Sequence, residues 1–406
     1  MRASPPRDVI IVGGGLTGPL TALALARAGL QVLLLDARPR AELDAEAFDG
    51  RAYALALGSV RLLRGLKLWE RLLPVAQPIT AIRASDGRAG EGASSLHLRF
   101  DAAEIGEPFM GQMVEDRHLR PALLAACDEA PGVEIRFGVA VTGHEPQPGR
   151  VAVSTADETW EAKLLLGCDG REGGTARRAG IRRMERPYGQ TALVCSVEHE
   201  RPHKGVAHQF FMPPGPLAIL PLRGNRSSVV WTEAAEVAAD LNALSDPHYL
   251  DILRPRFGSF LGDIRLAGGR HSYPLALSLA HRFVAPRMAL VGDAAHGIHP
   301  IAGQGLNLGM KDVAALADVL GGAHARGEDV GAPDVLVRYE RWRRFDTAAM
   351  GVATDTVNRI FSNDHPILRL GRDVGMAAVS AWPALRRQLI REAAGLAGDL
   401  PRLMRA

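Results

Sequence analysis

Short, solid apolar runs alternate along this chain with longer stretches of helical periodicity. Asp8-Val9-Ile10-Ile11-Val12 is a β-branched run of the kind found in strands buried on both faces of a parallel sheet. A helix is predicted over 17–28, with Pro19 tolerated in its first turn, and a second strand over 31–35. Two similar runs lie far downstream, Leu164-Leu165-Leu166-Gly167 and Met288-Ala289-Leu290-Val291, the latter followed by a predicted helix over 306–320. Between them, 207–212, 217–222 and 227–232 read as short strands separated by Pro/Gly turns. From 355 onward the pattern is helical, and Leu385, Leu389, Ala393 and Leu396 form an apolar stripe flanked by Arg386, Arg387 and Arg391. The order predicts an α/β protein with a parallel sheet, a β-rich insertion and a helical tail.

The turns between these elements carry the candidate chemistry. Gly13-Gly14-Gly15-Leu16-Thr17-Gly18 supplies the G-x-G-x-x-G spacing between a strand and a helix. Glycine is needed there because the backbone must turn tightly and approach a pyrophosphate, which the helix N-terminus then receives. Asp36 ends the second strand at the spacing of a carboxylate on the adenosine ribose, with Arg38 beyond it to flank the adenine. This motif alone does not separate NAD from FAD. Gly292-Asp293-Ala294-Ala295-His296, running through Pro300 to Gly303-Gln304-Gly305-Leu306-Asn307, is a second carboxylate-tipped strand followed by glycines and a helix. Two such turns nearly three hundred residues apart point to one large cofactor held at both ends, FAD. A helix N-cap is the plainer reading of Asp293, and a strand followed by a tight turn the plainer reading of Leu164 to Gly170. His296 and His299 are three residues apart, but no third ligand is near and Pro300 interrupts any shared helical face, so no metal is expected.

Composition narrows the class. The 406 residues are 47% hydrophobic with 44 glycines, enough for a sizeable core in two connected domains. A net charge of +3 gives no electrostatic case for nucleic acid. Lysine occurs only at Lys67, Lys163, Lys204 and Lys311, so the basic charge is mostly arginine. Cys127, Cys168 and Cys195 lack metal-ligand spacing and read as reduced, buried thiols. No signal peptide and no run of roughly 20 apolar residues is present. The expected location is cytoplasmic, at most peripheral to the inner face of the membrane.

Taken together the chain resembles the class A flavoprotein aromatic hydroxylases, of the general architecture of para-hydroxybenzoate hydroxylase. More narrowly it resembles the ubiquinone-biosynthesis hydroxylase branch. That match rests on Phe48-Asp49-Gly50-Arg51-Ala52-Tyr53-Ala54-Leu55, Gly215-Pro216-Leu217-Ala218-Ile219-Leu220-Pro221-Leu222, the run from Gly292 to Asn307, and the closing segment from Gly395 to Leu403. The resemblance implies a Rossmann-like FAD-binding domain, discontinuous over 1–75, 100–180 and 274–350. A mixed β-sheet substrate domain would occupy 76–99 and 181–273, and a helical region 351–406. It implies that Gly13, Gly15 and Gly18 hold the pyrophosphate, Asp36 the ribose and Asp293 the ribityl chain. Arg51 and Arg117 match arginines on the flavin side, and Val141 a residue whose backbone meets the adenine. Gly305, Leu306 and Asn307 would offer backbone to the isoalloxazine, with Pro300 beside the reacting edge. Asp169-Gly170 matches the family motif linked to FAD and NAD(P)H, but the serine and arginine that follow it are replaced by Gly173 and Ala176. Arg171 or Arg177 is then the candidate nicotinamide contact.

The implied activity is ring hydroxylation of a polyprenylated phenol, with NADH or NADPH as reductant and O₂ as oxygen source. Phe210, Phe211, Leu220 and Trp231 are candidates for an apolar pocket wall, although core packing is the commoner role for each alone. His208, Tyr188 and His271 are conceivable general bases. The implied partners are the hydrophobic substrate, other quinone-biosynthesis proteins and a membrane surface touched through 381–406. Rival readings are a hydroxylase of another aromatic compound, a prenyl-chain reductase, and a non-catalytic FAD-binding scaffold.

Overall fold

A computed structural model describes residues 7–43, 47–88, 92–298, 303–361, 379 and 381–405. The apolar runs form the strands of one largely parallel sheet. Its order is Val284–Ala285, Met288–Leu290, Thr159–Gly167, Arg7–Val12, Val32–Asp36 and Val133–Phe137, with the hairpin Gly143–Gln147 and Arg150–Ser154 attached to Thr159–Gly167. The four pairings from Met288–Leu290 across to Val133–Phe137 are parallel. Val9, Ile10, Ile11, Leu33, Leu34, Leu164, Leu165 and Leu290 are wholly buried, as strands covered on both faces require. Helices Thr17–Arg27, Asp116–Glu129 and Gln304–Ala325 supply that cover.

A nine-stranded mixed sheet stands over this layer. Its order is His296–Gly297, His271–Ala280, Arg183–His199, Arg226–Ala234, Gly215–Leu222, Val206–Met212, Ala81–Arg88 and Gly92–Asp101, with Ile264–Leu266 added to Arg183–His199. All pairings are antiparallel except that of Val206–Met212 with Ala81–Arg88. The strands at 206–212, 215–222 and 226–234 are those the Pro/Gly turns delimit in the sequence. A small sheet of Ala52–Ala56, Gly111–Glu115 and Gln77–Ile79 fills the junction between the two layers.

The two faces of the large sheet differ. Helices Ala235–Ala243 and Asp246–Phe257 pack on the outer face, sealing Leu193, Cys195, Phe210, Leu217, Ile219, Val229 and Trp231 into a second core. The inner face meets the dinucleotide side: Ser196 Oγ donates to Gly50 O at 3.2 Å, and His271 Nε2 bonds Asp49 O at 2.8 Å. Glu115, buried at the junction, accepts from Arg117 Nη2 at 2.8 Å and Arg226 Nη2 at 2.7 Å. Both guanidinium groups lie against the Phe48 ring, 5.1 and 5.0 Å from its centroid, a paired cation–π contact joining the layers.

The end of the chain is stitched to the first layer. Gly58 N donates to Ala394 O at 3.0 Å and Arg402 N to Asp318 Oδ2 at 2.7 Å, while Ile390, Ala394 and Met404 are buried. Ala393 and Leu396 of the predicted stripe pack inward, whereas Trp382, Leu385 and Leu389 are exposed.

Candidate FAD and substrate site

Asp36, Asp169 and Asp293 all follow or end strands at the carboxyl edge of the parallel sheet, where open α/β sheets bind ligands. Gly13 sits between Asp36 and Asp169, because Cys168 N donates to Val12 O at 2.8 Å and Gly13 N to Leu35 O at 2.8 Å. Residues separated by more than two hundred positions thus share one rim.

The three fingerprint glycines do different things. Gly13 has φ +111°, and a Cβ there would collide with the Cys168 carbonyl; a Cβ at Gly18 would collide with the Gly13 carbonyl. Over Gly15, by contrast, nothing lies within 4 Å of an added Cβ. Two glycines close the turn and one leaves its backbone open to a ligand. The helix Thr17–Arg27 begins without a side-chain cap or an acidic residue, so its first N–H groups and positive dipole end are free for phosphate oxygens. Asp36 accepts from Gly14 N, from Arg38 N at 2.8 Å and from Arg38 Nε at 3.1 Å. Burial pushes its pKa up, but the Arg38 and Gly14 hydrogen bonds outweigh this and hold it below the usual carboxylate value. The loop bearing Val141 is tied to the same strand end through Val139 N on Asp36 O at 2.9 Å.

The later turn is built from buried charge. Asp293 is exposed, and among the described residues nothing bonds its carboxylate. Its backbone is clamped from two sides. Asp312, on helix Gln304–Ala325, accepts from Gly292 N at 3.0 Å, bonds His296 Nε2 at 2.5 Å and accepts from Arg343 Nε at 2.7 Å. Asp312 and Arg343 are fully buried, and Arg343 continues to Asp346 at 2.8 Å. Burial alone would raise the Asp312 pKa; His296 and Arg343 reverse that and keep it lowered. From the opposite side Arg183 donates to Ala294 O, to Asp293 O at 3.1 Å and to Ser278 Oγ at 3.0 Å. None of Asp312, Arg343 or Arg183 is among the residues singled out from sequence. The single acid in the run from Met310 to Leu316, apolar apart from Lys311, is the one signal that marks Asp312.

Helix Gln304–Ala325 starts at Gly303, in the left-handed region at φ +66°, again without a cap or an acid in its first turn. Nothing lies within 4 Å of an added Cβ at Gly305, and Leu306 packs on the main core. The Asn307 side chain pins the helix start: Oδ1 accepts from Ala56 N at 2.8 Å and Ser59 Oγ at 2.7 Å, while Nδ2 donates to Ala54 O and Gly303 O, both at 2.8 Å. Pro300 and His299 lie outside the described residues. Arg51 pairs with Asp49 at 2.6 Å and Asp116 at 3.2 Å, at the junction of the layers.

The departure at Gly173 has a steric cause. Asp169 Oδ2 accepts from Thr175 N at 2.9 Å and Thr175 Oγ1 at 2.8 Å, and any Cβ at 173 would strike that carboxylate. Thr175 thus supplies the hydroxyl beside Asp169, and Arg178 Nη2 donates to it at 3.1 Å. The Arg171 guanidinium lies against Gly297, where an added Cβ would be 3.1 Å from its Nε, whereas Arg177 is exposed. Among the described residues no group of three or more His, Cys, Asp or Glu could hold a metal ion.

The candidate pocket wall needs correcting. Phe210 and Trp231 face the helices of the outer core, not the dinucleotide layer. Strand alternation assigns Phe211 and Leu220 to the inner face. There Val194, Val230 and Ala218 pair side by side across three central strands and are only half-buried, although the outer-face residues between them are sealed. These three side chains therefore keep some access to solvent on the inner face. His208 is also on the outer side, its ring 4.4 Å from that of Phe260, and burial pushes its pKa down to about 4. Burial pushes the Tyr188 hydroxyl up to about 12. Of the three candidate bases, His271 is the one at the junction with Asp49, its ring stacked on Tyr273.

An open-backed glycine turn, two uncapped helix ends and an unpaired carboxylate along one rim fit a dinucleotide with a flavin at its far end. The family model described as "FAD binding domain" matches residues 7–351, and the chain belongs to that family of flavoproteins. It is 44% identical over 402 residues to the ubiquinone hydroxylase UbiL of Rhodospirillum rubrum, covering 98% of this chain and 92% of that one. It is 36% identical over 396 residues to the 3-demethoxyubiquinol 3-hydroxylase of Escherichia coli, covering 96% and 99%. Among solved structures, p-nitrophenol 4-monooxygenase PnpA from Pseudomonas putida DLL-E4 superposes with a TM-score of 0.80 over 97% of this chain and 98% of that one, at 21% identity, which shows the shared fold.

Proposed function

We propose that this protein is an FAD-dependent, NAD(P)H- and O₂-using monooxygenase that hydroxylates the aromatic ring of a polyprenylated phenol in ubiquinone biosynthesis. The observation that carries the reading is the pairing of the carboxylate-tipped rim with a half-buried, apolar patch on the inner face of the large sheet. Val194, Ala218, Leu220 and Val230 line the sheet face above the rim, and none could clamp a carboxylated substrate. The two relatives named above, both ubiquinone-pathway hydroxylases, support the same substrate class.

Bound FAD supplies electron transfer from the nicotinamide and activation of oxygen. The chain's own residues do the rest. Gly15 and the start of helix Thr17–Arg27 receive the pyrophosphate, Asp36 the ribose and Asp293 the ribityl hydroxyls. The uncapped helix start at Gln304 would stabilise negative charge on a bound flavin ring. The apolar sheet face keeps water from the reacting edge. Of Arg171 and Arg177 we assign the nicotinamide contact to Arg171, whose guanidinium lies against Gly297.

No helix among the described residues is long and apolar enough to cross a membrane. Trp382, Leu385 and Leu389 share one side of helix Pro383–Ala393 and its start by i, i+3, i+7 spacing, and Arg387 and Arg391 lie on the same helix. We assign to this face the contact with the bilayer in which such a substrate dissolves. Sedimentation with anionic vesicles should fall in a Trp382→Ser, Leu385→Glu variant, and unchanged sedimentation rejects the contact.

The main reading is tested with purified protein, FAD, NADH or NADPH and a prenylphenol, products being identified by mass spectrometry. Yellow protein forming a product one oxygen heavier is the expected result. Colourless protein that refuses added FAD, or flavoprotein that oxidises NAD(P)H without ever oxygenating a phenol, overturns it.

A further inference from the structure

Gln209 stands apart on the inner sheet face. It lies on strand Val206–Met212 between His208 and Phe210, and alternation turns it away from the outer core that holds Phe210. It pairs across the sheet with Ala218, which pairs with Val230, which pairs with Val194. On its other side it pairs with Ala84, so it is the polar member of a row whose neighbours Ala84, Ala218, Val230 and Val194 are small, apolar and half-buried. The residue is 9% exposed, and its Nε2 is sealed from solvent without a hydrogen-bond partner.

A buried amide left without a partner costs about 1–3 kcal/mol, so a fold retains one where something else satisfies it. A half-turn of the amide exchanges Oε1 and Nε2 at little steric cost, so either a donor or an acceptor can meet a ligand. Resting on the hydroxylase reading above, we infer that Gln209 is a specificity residue that hydrogen-bonds a ring oxygen of the phenolic substrate. The apolar neighbours accept the hydrocarbon part, and Gln209 supplies the polar contact that fixes ring orientation beneath the sheet. It is not a proton-transfer group. With Oε1 turned toward the ring it accepts from the phenol O–H, which a methyl ether lacks, and so selects phenols and holds one ring carbon toward the reacting edge.

The test compares wild type with Gln209→Leu and Gln209→Asn on 2-geranylphenol and its methyl ether, with FAD content and thermal midpoint measured alongside. Gln209→Leu removes an unpartnered buried group at similar volume, so folding and FAD content should hold. For the phenol, kcat/KM should fall about tenfold or more, the size of one lost hydrogen bond to a substrate. The preference for phenol over ether should collapse, and more NAD(P)H should end as hydrogen peroxide instead of hydroxylated product. Gln209→Asn should restore part of the preference. A purely structural role would lower both substrates together, so an unchanged phenol-to-ether ratio in an otherwise active Gln209→Leu enzyme overturns this inference while leaving the hydroxylase reading intact. Wild-type flavoprotein that oxygenates neither compound rejects both.

Discussion

The two ends of the cofactor site are built by opposite means. The first, over residues 7–36, is made from local backbone geometry: a strand, a turn that tolerates only glycine at Gly13 and Gly18, and an uncapped helix. The second, around Asp293, is a short irregular turn held by a buried ion cluster recruited from elsewhere, with Asp312, His296 and Arg343 on one side and Arg183 on the other. The first end resists change because there is no room for it. The second resists because separating its charges would strand one of them in the core.

That contrast can be broken most forcefully at Arg343. Arg343→Leu leaves Asp312 buried with one fewer cation, and should cost about 3–5 kcal/mol in chemical denaturation. A loss under 1 kcal/mol would show that the cluster is not what holds the second turn. Next in size is a pH effect that belongs to neither end. The pKa of His208 is depressed to about 4, so its contribution is present above its ordinary value near 6.5 and lost as pH falls from there toward 4. Stability should decline by up to about 3 kcal/mol over that window, and His208→Phe should flatten the decline. An equally steep decline in the variant would move the acid sensitivity to the cofactor rim.

A methyl group at Gly18 should cost about 1–3 kcal/mol through overpacking and abolish FAD retention, because the helix start must leave the Gly13 carbonyl. FAD retained through gel filtration in Gly18→Ala would contradict the steric account. The smallest effect on folding is expected at Asp293. Its side chain is exposed and unpaired, so Asp293→Asn should shift stability by no more than about 0.5 kcal/mol. The same change should weaken FAD binding about tenfold in a fluorescence titration, the loss of one charge-assisted hydrogen bond. Together these would show that in the second end support and contact reside in different residues.

The difference in construction explains what could be read beforehand. Strand, glycines, helix and Asp36 are neighbours in sequence, so their periodicity and spacing carry the whole arrangement. Asp293 is visible for the same reason, as an acid at the tip of an apolar run. Its supports are not, because Arg183 lies 110 residues away and Arg343 acts through Asp312 from farther along the chain, and an arginine in a strand or helix looks like any other. The pocket wall failed on phase. Residues 209–212 are buried on both faces, so hydrophobicity does not say which side Phe210 takes; the helices at 235–257 decide it. The same ambiguity hides Gln209, whose polar side chain looks like a surface residue until the sheet is assembled. Gly173 looks like a loss of motif and is instead the space that the Asp169–Thr175 cap occupies.

The strand order has a consequence for synthesis. Arg7–Val12 pairs with Thr159–Gly167, which pairs in turn with Met288–Leu290. A nascent chain leaving the ribosome therefore holds its first strand without one neighbour until more than a third of the polypeptide has emerged, and Asp293 waits for the entire β insertion. The two acidic tips of the rim therefore come together only late in synthesis, after the intervening sheet has been made.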